Sequence, residues 1–544
     1  MQKKLGGLRR PVRTAHLWVV GLSLAWGAFV IGRGPLNPFN TDWLHVGDLS
    51  SAQTNLMYFR QTSWLQWPVT ALPNYGVEWG TLFNESGVVP LGLITKVLNP
   101  VLPMGFQYFG YWALACFVLQ GLVAHRLLSR LRVEGVALWA GVSLFLLAPV
   151  LSFRFQQLGH HDLIAHWLIL LAFDQYFDAR FRKWYLSALL LLALSVNAYI
   201  FALVFVVVLT KTILHVVRGR YLLRARKMLW TCSAIFIPSL VAYSAYGYLS
   251  WGNGIVGSGF FRLNGLAFVS RTYLGEDFAY LGAGVLMVLP CVIYLVITNP
   301  RDLLRGHVTL LAVGIVLFLV ALSPRVGVGS WQITYPVPEV FETVRQVFRV
   351  ANRLSWLLYY HLILLAILAL NRLRIRYPVV AGVVGIVAVS LQLVDQVTLV
   401  GGSQFGALQR VEWNVLQDGR WDGWATSVDE VVVYPTFDAQ ASPDSAGSAI
   451  LIETGDFLDI LWWTARHNLP VNLAYRSRPV PDVVADQNSR LSSQLAAREF
   501  NEHALYIIPF RDDWRPLVPD IPPTMDTRFV DGLYVIFPSE QVSP

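Results

Sequence analysis

Long apolar stretches recur through the first 400 positions, separated by short polar breaks. A helix that crosses the hydrocarbon core needs about 20 mostly apolar residues. Segments of that kind fall at 16–32, 104–125, 134–151, 163–178, 184–197, 199–216, 228–247, 279–297, 307–323, 354–370 and 378–397. The pair 184–197 and 199–216 forms one apolar run, interrupted at Asn197-Ala198-Tyr199. A single helix of that length would overshoot the bilayer, so the run is divided there.

Between the first two spans lies a long loop, 33–103. Inside it, 48–64 has helical periodicity, with Leu49, Ala52, Leu56, Tyr58 and Phe59 on one apolar face. The segment 88–99 is apolar but too short to span. Both suit helices lying in the interface plane, and Trp64, Trp67, Tyr75 and Trp79 suit the headgroup level. After 401 the pattern changes. Short β-type runs fall at Val431–Tyr434, Ile450–Ile452, Tyr506–Ile508 and Leu533–Phe537, with helical stretches at 456–467 and 485–504. The predicted architecture is an all-α polytopic membrane domain at 16–400, after a cytoplasmic N-terminus at 1–15, and an extracytoplasmic α/β domain at 401–544.

Composition agrees: 55% of the 544 residues are hydrophobic and 14% are charged, where soluble chains carry about 25% charged residues. The net charge of +8 is no nucleic-acid signal, because the basic residues sit between apolar runs and mark topology instead. With the N-terminus inside, the clusters at Arg126, Arg130 and Arg132, at Arg180, Arg182 and Lys183, and at 218–227 all face the cytoplasm. So do Arg301 with Arg305, and Arg372, Arg374 and Arg376. Eleven spans is the count that keeps them there. The first span follows Lys3, Lys4, Arg9 and Arg10 without a convincing cleavage site, and is expected to be retained. Cys116, Cys232 and Cys291 lie in apolar runs and have no metal-ligand spacing.

Residues with chemistry to offer then gather on the outer side. Asp48, with Asp42 six residues earlier, offers a carboxylate that can serve as general base; Asp48 is equally suited to cap the helix it precedes. Arg154 and Gly159-His160-His161-Asp162 form a second polar group, and Asp162 shares a helical face with His166. A metal, a phosphate and plain loop polarity are all compatible with that spacing. Arg345, Arg349 and Arg353 recur every four residues, so a helix would align all three. A phosphate-bearing ligand or anionic headgroups would relieve their repulsion, since arginine matches phosphate oxygens with a fork of donors. Trp462 and Trp463, with Arg466 and His467, could stack on sugar or belong to a core. The chain lacks a phosphate-binding glycine loop, a dinucleotide fingerprint, a His-Glu-x-x-His pair and a Gly-x-Ser-x-Gly elbow.

The layout resembles the GT-C superfamily of integral-membrane glycosyltransferases. It resembles more narrowly a family of bacterial multi-spanning proteins related to them. The stretches that carry the resemblance are Gly47-Asp48, Phe106-Gln107-Tyr108-Phe109-Gly110, Gly159-His160 with His166-Trp167, and Phe348-Arg349 with Arg353. It implies inverting transfer of a sugar from a polyprenyl-phosphate or polyprenyl-diphosphate donor to a glycan or lipid acceptor, on the outer face of a bacterial inner membrane. Asp48, or else Asp42, is the implied base. Arg345, Arg349 and Arg353, with Arg154, His160 and His161, are the implied substrate contacts. The acidic motif is Gly-Asp, without a second adjacent acid, so no metal ligands are assigned and dependence on Mg or Mn stays open. The competing expectations are a transporter or flippase of lipid-linked saccharides, and a polysaccharide polymerase or ligase.

Overall fold

The structure is a computed structural model. It describes residues 10–44, 47–76, 81–219, 224–249, 263–272, 276–322, 325–336, 350–401, 416–437, 456–475, 481–509, 511–517 and 521–539. Two compact units emerge. The first contains 1–38, 108–242 and 257–409; the second contains 39–107, 243–256 and 410–544.

The first unit is largely helical, and each of the expected spans is a helix or a pair of short ones. Among the described residues, six helices are long and apolar enough to cross a membrane: Phe109–Arg130, Gly135–Gln156, Ala198–Arg218, Ala225–Ala245, Ala351–Arg376 and Pro378–Leu399. The apolar helices His16–Ile31, Trp167–Phe177, Lys183–Val196, Ala283–Thr298 and Val308–Leu322 are shorter. Several long apolar helices make this a multi-pass membrane protein. Their surfaces agree. Helix Ala225–Ala245 leaves Leu229, Ile237, Leu240 and Val241 exposed, and Pro378–Gly401 leaves Val379, Val383, Ile386 and Val394 exposed. Apolar surface on that scale needs a lipid or protein partner. Helix Trp356–Arg376 is mostly buried and forms the centre of the unit.

The break at Asn197 has a local cause. Asn197 is extended (φ −163°, ψ 141°), and its side-chain oxygen accepts from the backbone N–H groups of Tyr199 and Ile200. Free donors at a helix start need such a partner, and asparagine supplies one. A similar step divides Gly135–Leu146 from Pro149–Gln156, where Ala148 is extended ahead of Pro149. Proline disfavours helical backbone in the residue before it.

The second unit joins the first long loop to the C-terminal region. Its four-stranded sheet runs Glu430–Val433, Ala504–Ile508, Leu533–Pro538, Met525–Val530. The first pair is parallel and the other two pairs are antiparallel. Val432, Leu495, Ile508 and Ile536 belong to its core. Val471 bridges both Val431 and Tyr75, so the edge of the sheet is continuous with the first loop. The strand Met525–Val530 is an addition to the expected set. The helix expected over 485–504 is instead Pro481–Ala496, followed by the strand Ala504–Ile508. The expected strand at 450–452 lies outside the described residues.

Helix Gly47–Gln61 is covered beyond its apolar face: every residue from Leu49 to Arg60 is buried. It packs against helices Asp456–His467 and Val89–Val97 of its own unit. Tyr58 Oη donates to the Leu469 carbonyl at 2.8 Å, and the Gln61 amide donates to the Ala465 carbonyl at 2.9 Å. The Arg60 guanidinium is spent on Asn99 Oδ1 and the carbonyls of Leu102, Pro103 and Met104. Periodicity finds a two-faced helix but cannot tell that the polar face is also covered.

Candidate functional site

In the first unit, four segments bring a charged cluster together. Helix Pro149–Gln156 carries Arg154, which is fully buried. The turn after it supplies His160. The 3-10 turn Ala351–Ser355, at the head of helix Trp356–Arg376, supplies Arg353. All three meet Glu276, from the loop ahead of helix Ala283–Thr298.

Arg154 donates to the Glu276 carboxylate and to its backbone carbonyl. Arg353 Nη2 lies 3.1 Å from one carboxylate oxygen and 3.2 Å from the other. His160 Nε2 is 3.5 Å from Oε1. Asn352 also donates to the Glu276 carbonyl. Aromatic rings back both arginines: the Arg154 guanidinium sits 5.2 Å from the Trp356 ring centre, and Arg353 sits 4.6 Å from that of Tyr199. The Tyr199 hydroxyl in turn accepts from Val350 N at 3.0 Å. Such faces attract a guanidinium through the ring quadrupole.

Burial by itself would raise the Glu276 carboxyl. The Arg353 and Arg154 charges override it and hold the group well below the usual carboxylate range. Asp162 and Asp277 add attraction for Arg353 and Arg154. Among the described residues, Nε of both arginines has no hydrogen-bond partner. The cluster is thus a buried anion-holding arrangement with donor capacity to spare.

Glu276 is the member that sequence reading missed. Nothing marks it within a glycine-rich loop except that buried arginines require a counter-charge.

Other expected residues are placed elsewhere. His161 packs on Phe109, with ring centres 4.3 Å apart, and its carbonyl accepts from the Trp112 indole. Asp162 and His166 do not pair. Asp162 accepts from Leu163 N and from the Asn197 amide at 2.6 Å, and His166 Nδ1 contacts the Tyr360 hydroxyl at 2.6 Å. Arg345 and Arg349 lie outside the described residues. Among the described residues, no group of three or more His, Cys, Asp or Glu side chains could hold a metal ion.

In the second unit, Asp48 stands in the first turn of helix Gly47–Gln61, not ahead of it. Its Oδ1 accepts from the Tyr475 hydroxyl at 3.0 Å. Tyr475 is itself fixed: its backbone N donates to the Tyr75 hydroxyl at 3.0 Å, and its ring stacks on Phe457. A carboxylate in a first turn also gains from the positive end of the helix dipole. Asp42 is exposed and sits in a turn where its N–H donates to Asn40 Oδ1. Trp463 is a core residue set edge-on against Trp421, which removes it as a sugar platform; Trp462 is half-buried.

No curated protein and no solved structure matches the chain. Two family models do. One, described as a domain of unknown function (DUF6311), matches residues 20–397, and the other, the DUF6311 C-terminal domain, matches 420–538. With most of its length covered by the first and its sheet-bearing region by the second, the chain belongs to the DUF6311 family.

Proposed function

We propose that the protein is a GT-C-type glycosyltransferase of a bacterial inner membrane. In this reading it has eleven spans, a cytoplasmic N-terminus and an extracytoplasmic C-terminal domain. It transfers a sugar from a polyprenyl-phosphate or polyprenyl-diphosphate donor to an envelope glycan or lipid acceptor. The observation that carries the reading is the convergence of Arg154, Arg353 and His160 on one buried carboxylate. Arginines embedded in this way are suited to a phosphate, which they can grip through two parallel hydrogen bonds.

Each residue then has a task. Arg154, Arg353 and His160, with Arg345 and Arg349, hold the donor phosphate. Asp48 takes the proton of the acceptor hydroxyl, and that oxygen attacks the anomeric carbon from the face opposite the phosphate. The carbon–oxygen bond to phosphate breaks, its electron pair stays with the phosphate oxygen, and the sugar inverts. Fixed cations stabilise the charge that develops on the leaving oxygen. Tyr475 keeps the Asp48 carboxylate oriented.

The test uses the full chain in nanodiscs with undecaprenyl phosphate and a panel of undecaprenyl-phosphate hexoses. Native mass spectrometry is expected to show the lipid phosphate bound, and at least tenfold more weakly in Arg353→Ala. Sugar transfer is expected in the wild type and absent in Asp48→Asn. Failure of the wild type both to bind the lipid and to transfer any sugar overturns the reading. Movement of the lipid-linked sugar between leaflets without transfer would assign a flippase instead, and products grown by many units a polymerase.

A further inference from the structure

The second unit contains a groove of about 360 Å³, built wholly from its own residues. Its floor is the first strand of the sheet at Glu430–Val432, whose outer side is bridged by Val471. One wall is helix Pro481–Ala496, which presents Gln487, Leu491 and Gln494 at a spacing of four and three, one helical face. Asn74 and the segment Pro470–Asn472 form the other wall.

The lining is unusual in kind. It combines side-chain amides and two carboxylates, Glu430 and Glu499, with apolar patches from proline, valine and leucine. Among the described residues it contains no lysine, arginine or histidine. Several polar groups are already locked. The Asn472 amide donates to the Val433 carbonyl at 2.9 Å and accepts from Val433 N at 2.8 Å. Asn501 Nδ2 donates to Glu430 Oε1 at 2.7 Å, which fixes that carboxylate and leaves its second oxygen to accept from a ligand.

We infer that this groove binds a neutral saccharide unit. Sugar hydroxyls both donate and accept, and an amide offers two donors and an acceptor at a single position. Carboxylates accept from paired hydroxyls, while the C–H faces of a sugar ring pack on proline, valine and leucine. Two carboxylates with no cation among the described lining residues disfavour uronates, sialic acids and phosphorylated sugars, because a like charge brought to such a site goes uncompensated. The volume falls within the range of about 300–1,000 Å³ usual for small-ligand sites. The groove lies in the region matched by the C-terminal family model together with part of the first loop. The inference stands on its own chemistry. Only the idea that the bound saccharide is the acceptor rests on the transferase reading.

The experiment is saturation-transfer NMR on the full chain in nanodiscs, with mannotriose and N,N′,N″-triacetylchitotriose as neutral probes and trigalacturonic acid as the acidic one. At least one neutral probe is expected to bind and the acidic probe is not. Gln487→Ala combined with Gln494→Ala is expected to weaken binding at least tenfold without moving the thermal unfolding midpoint. Glu430→Gln provides a second variant, expected to weaken binding through the loss of a strong acceptor. Absence of binding by both neutral probes overturns the inference. So does equal binding of the acidic probe, or neutral binding unchanged in both variants. Arg353→Ala should leave saccharide binding intact, so a failure of lipid-phosphate binding and a failure of this groove are read separately.

Discussion

Glu276 holds two buried guanidinium groups at once, so removing its charge leaves both with a partner missing. Breaking a buried ion pair from one side costs roughly 3–5 kcal/mol. Glu276→Gln keeps the shape and some hydrogen bonding, so a loss of about 3 kcal/mol is expected, seen as a lower unfolding midpoint by tryptophan fluorescence. The pH dependence has a defined sign. The folded carboxyl lies below its ordinary value, so its stabilising effect is complete above an unfolded pKa of about 4.3 and fades as the pH falls toward the folded value. The gap between wild type and Glu276→Gln should therefore hold constant from pH 7 to about pH 5 and narrow toward pH 3. A gap that widens on acidification would contradict the cluster. Arg154, His160 and Arg353 are legible in the sequence because their residue types are out of place in an apolar chain. Glu276 is not, because its meaning arises only when a residue 122 positions from Arg154 is brought against it.

Elements in the first unit meet at small residues. A Cβ on Gly284 would come within 2.0 Å of the Ala388 carbonyl oxygen, where helices Ala283–Thr298 and Pro378–Gly401 cross. Backbone cannot give way as a flexible side chain can, so Gly284→Ala should destabilise by about 1–3 kcal/mol. Gly21 provides the control. Nothing lies within 4 Å of its Cβ position in helix Arg10–Ile31, so Gly21→Ala should be neutral or slightly stabilising. The measurement is the fraction of each variant that stays monodisperse by size exclusion after heating. Equal survival of the two variants would show that the crossing is looser than described. At this scale most of the helices were legible, because hydropathy and the Asn197 interruption are local signals. The burial of helix Gly47–Gln61 was not, since its polar residues are covered by segments far along the chain.

At the scale of the molecule, the first long loop is folded with the C-terminal region as one unit. Segmentation by composition divides the chain at 401, because composition changes there. It cannot report that residues 39–107 join the later part, which is a matter of tertiary pairing: Tyr58 with Leu469, Gly76 with Val471, Asp48 with Tyr475. This pairing predicts that deletion of 410–544 exposes the loop. Chymotrypsin should then cut after Tyr58, which is 1% exposed in the intact chain and held there by Leu469, while the full chain resists at that bond. A loop that stays protected after the deletion would show that it folds independently.

The split composition of the second unit also sets an order of events. Residue 107 and the first residue of the C-terminal segment, Arg410, lie about 300 residues apart. At synthesis rates of about 5–20 residues per second, the loop waits roughly 15–60 s for the partner that covers it. During that interval its buried-to-be polar and apolar groups are open to water and to other chains. Completion of this unit is therefore delayed until most of the chain has been synthesised.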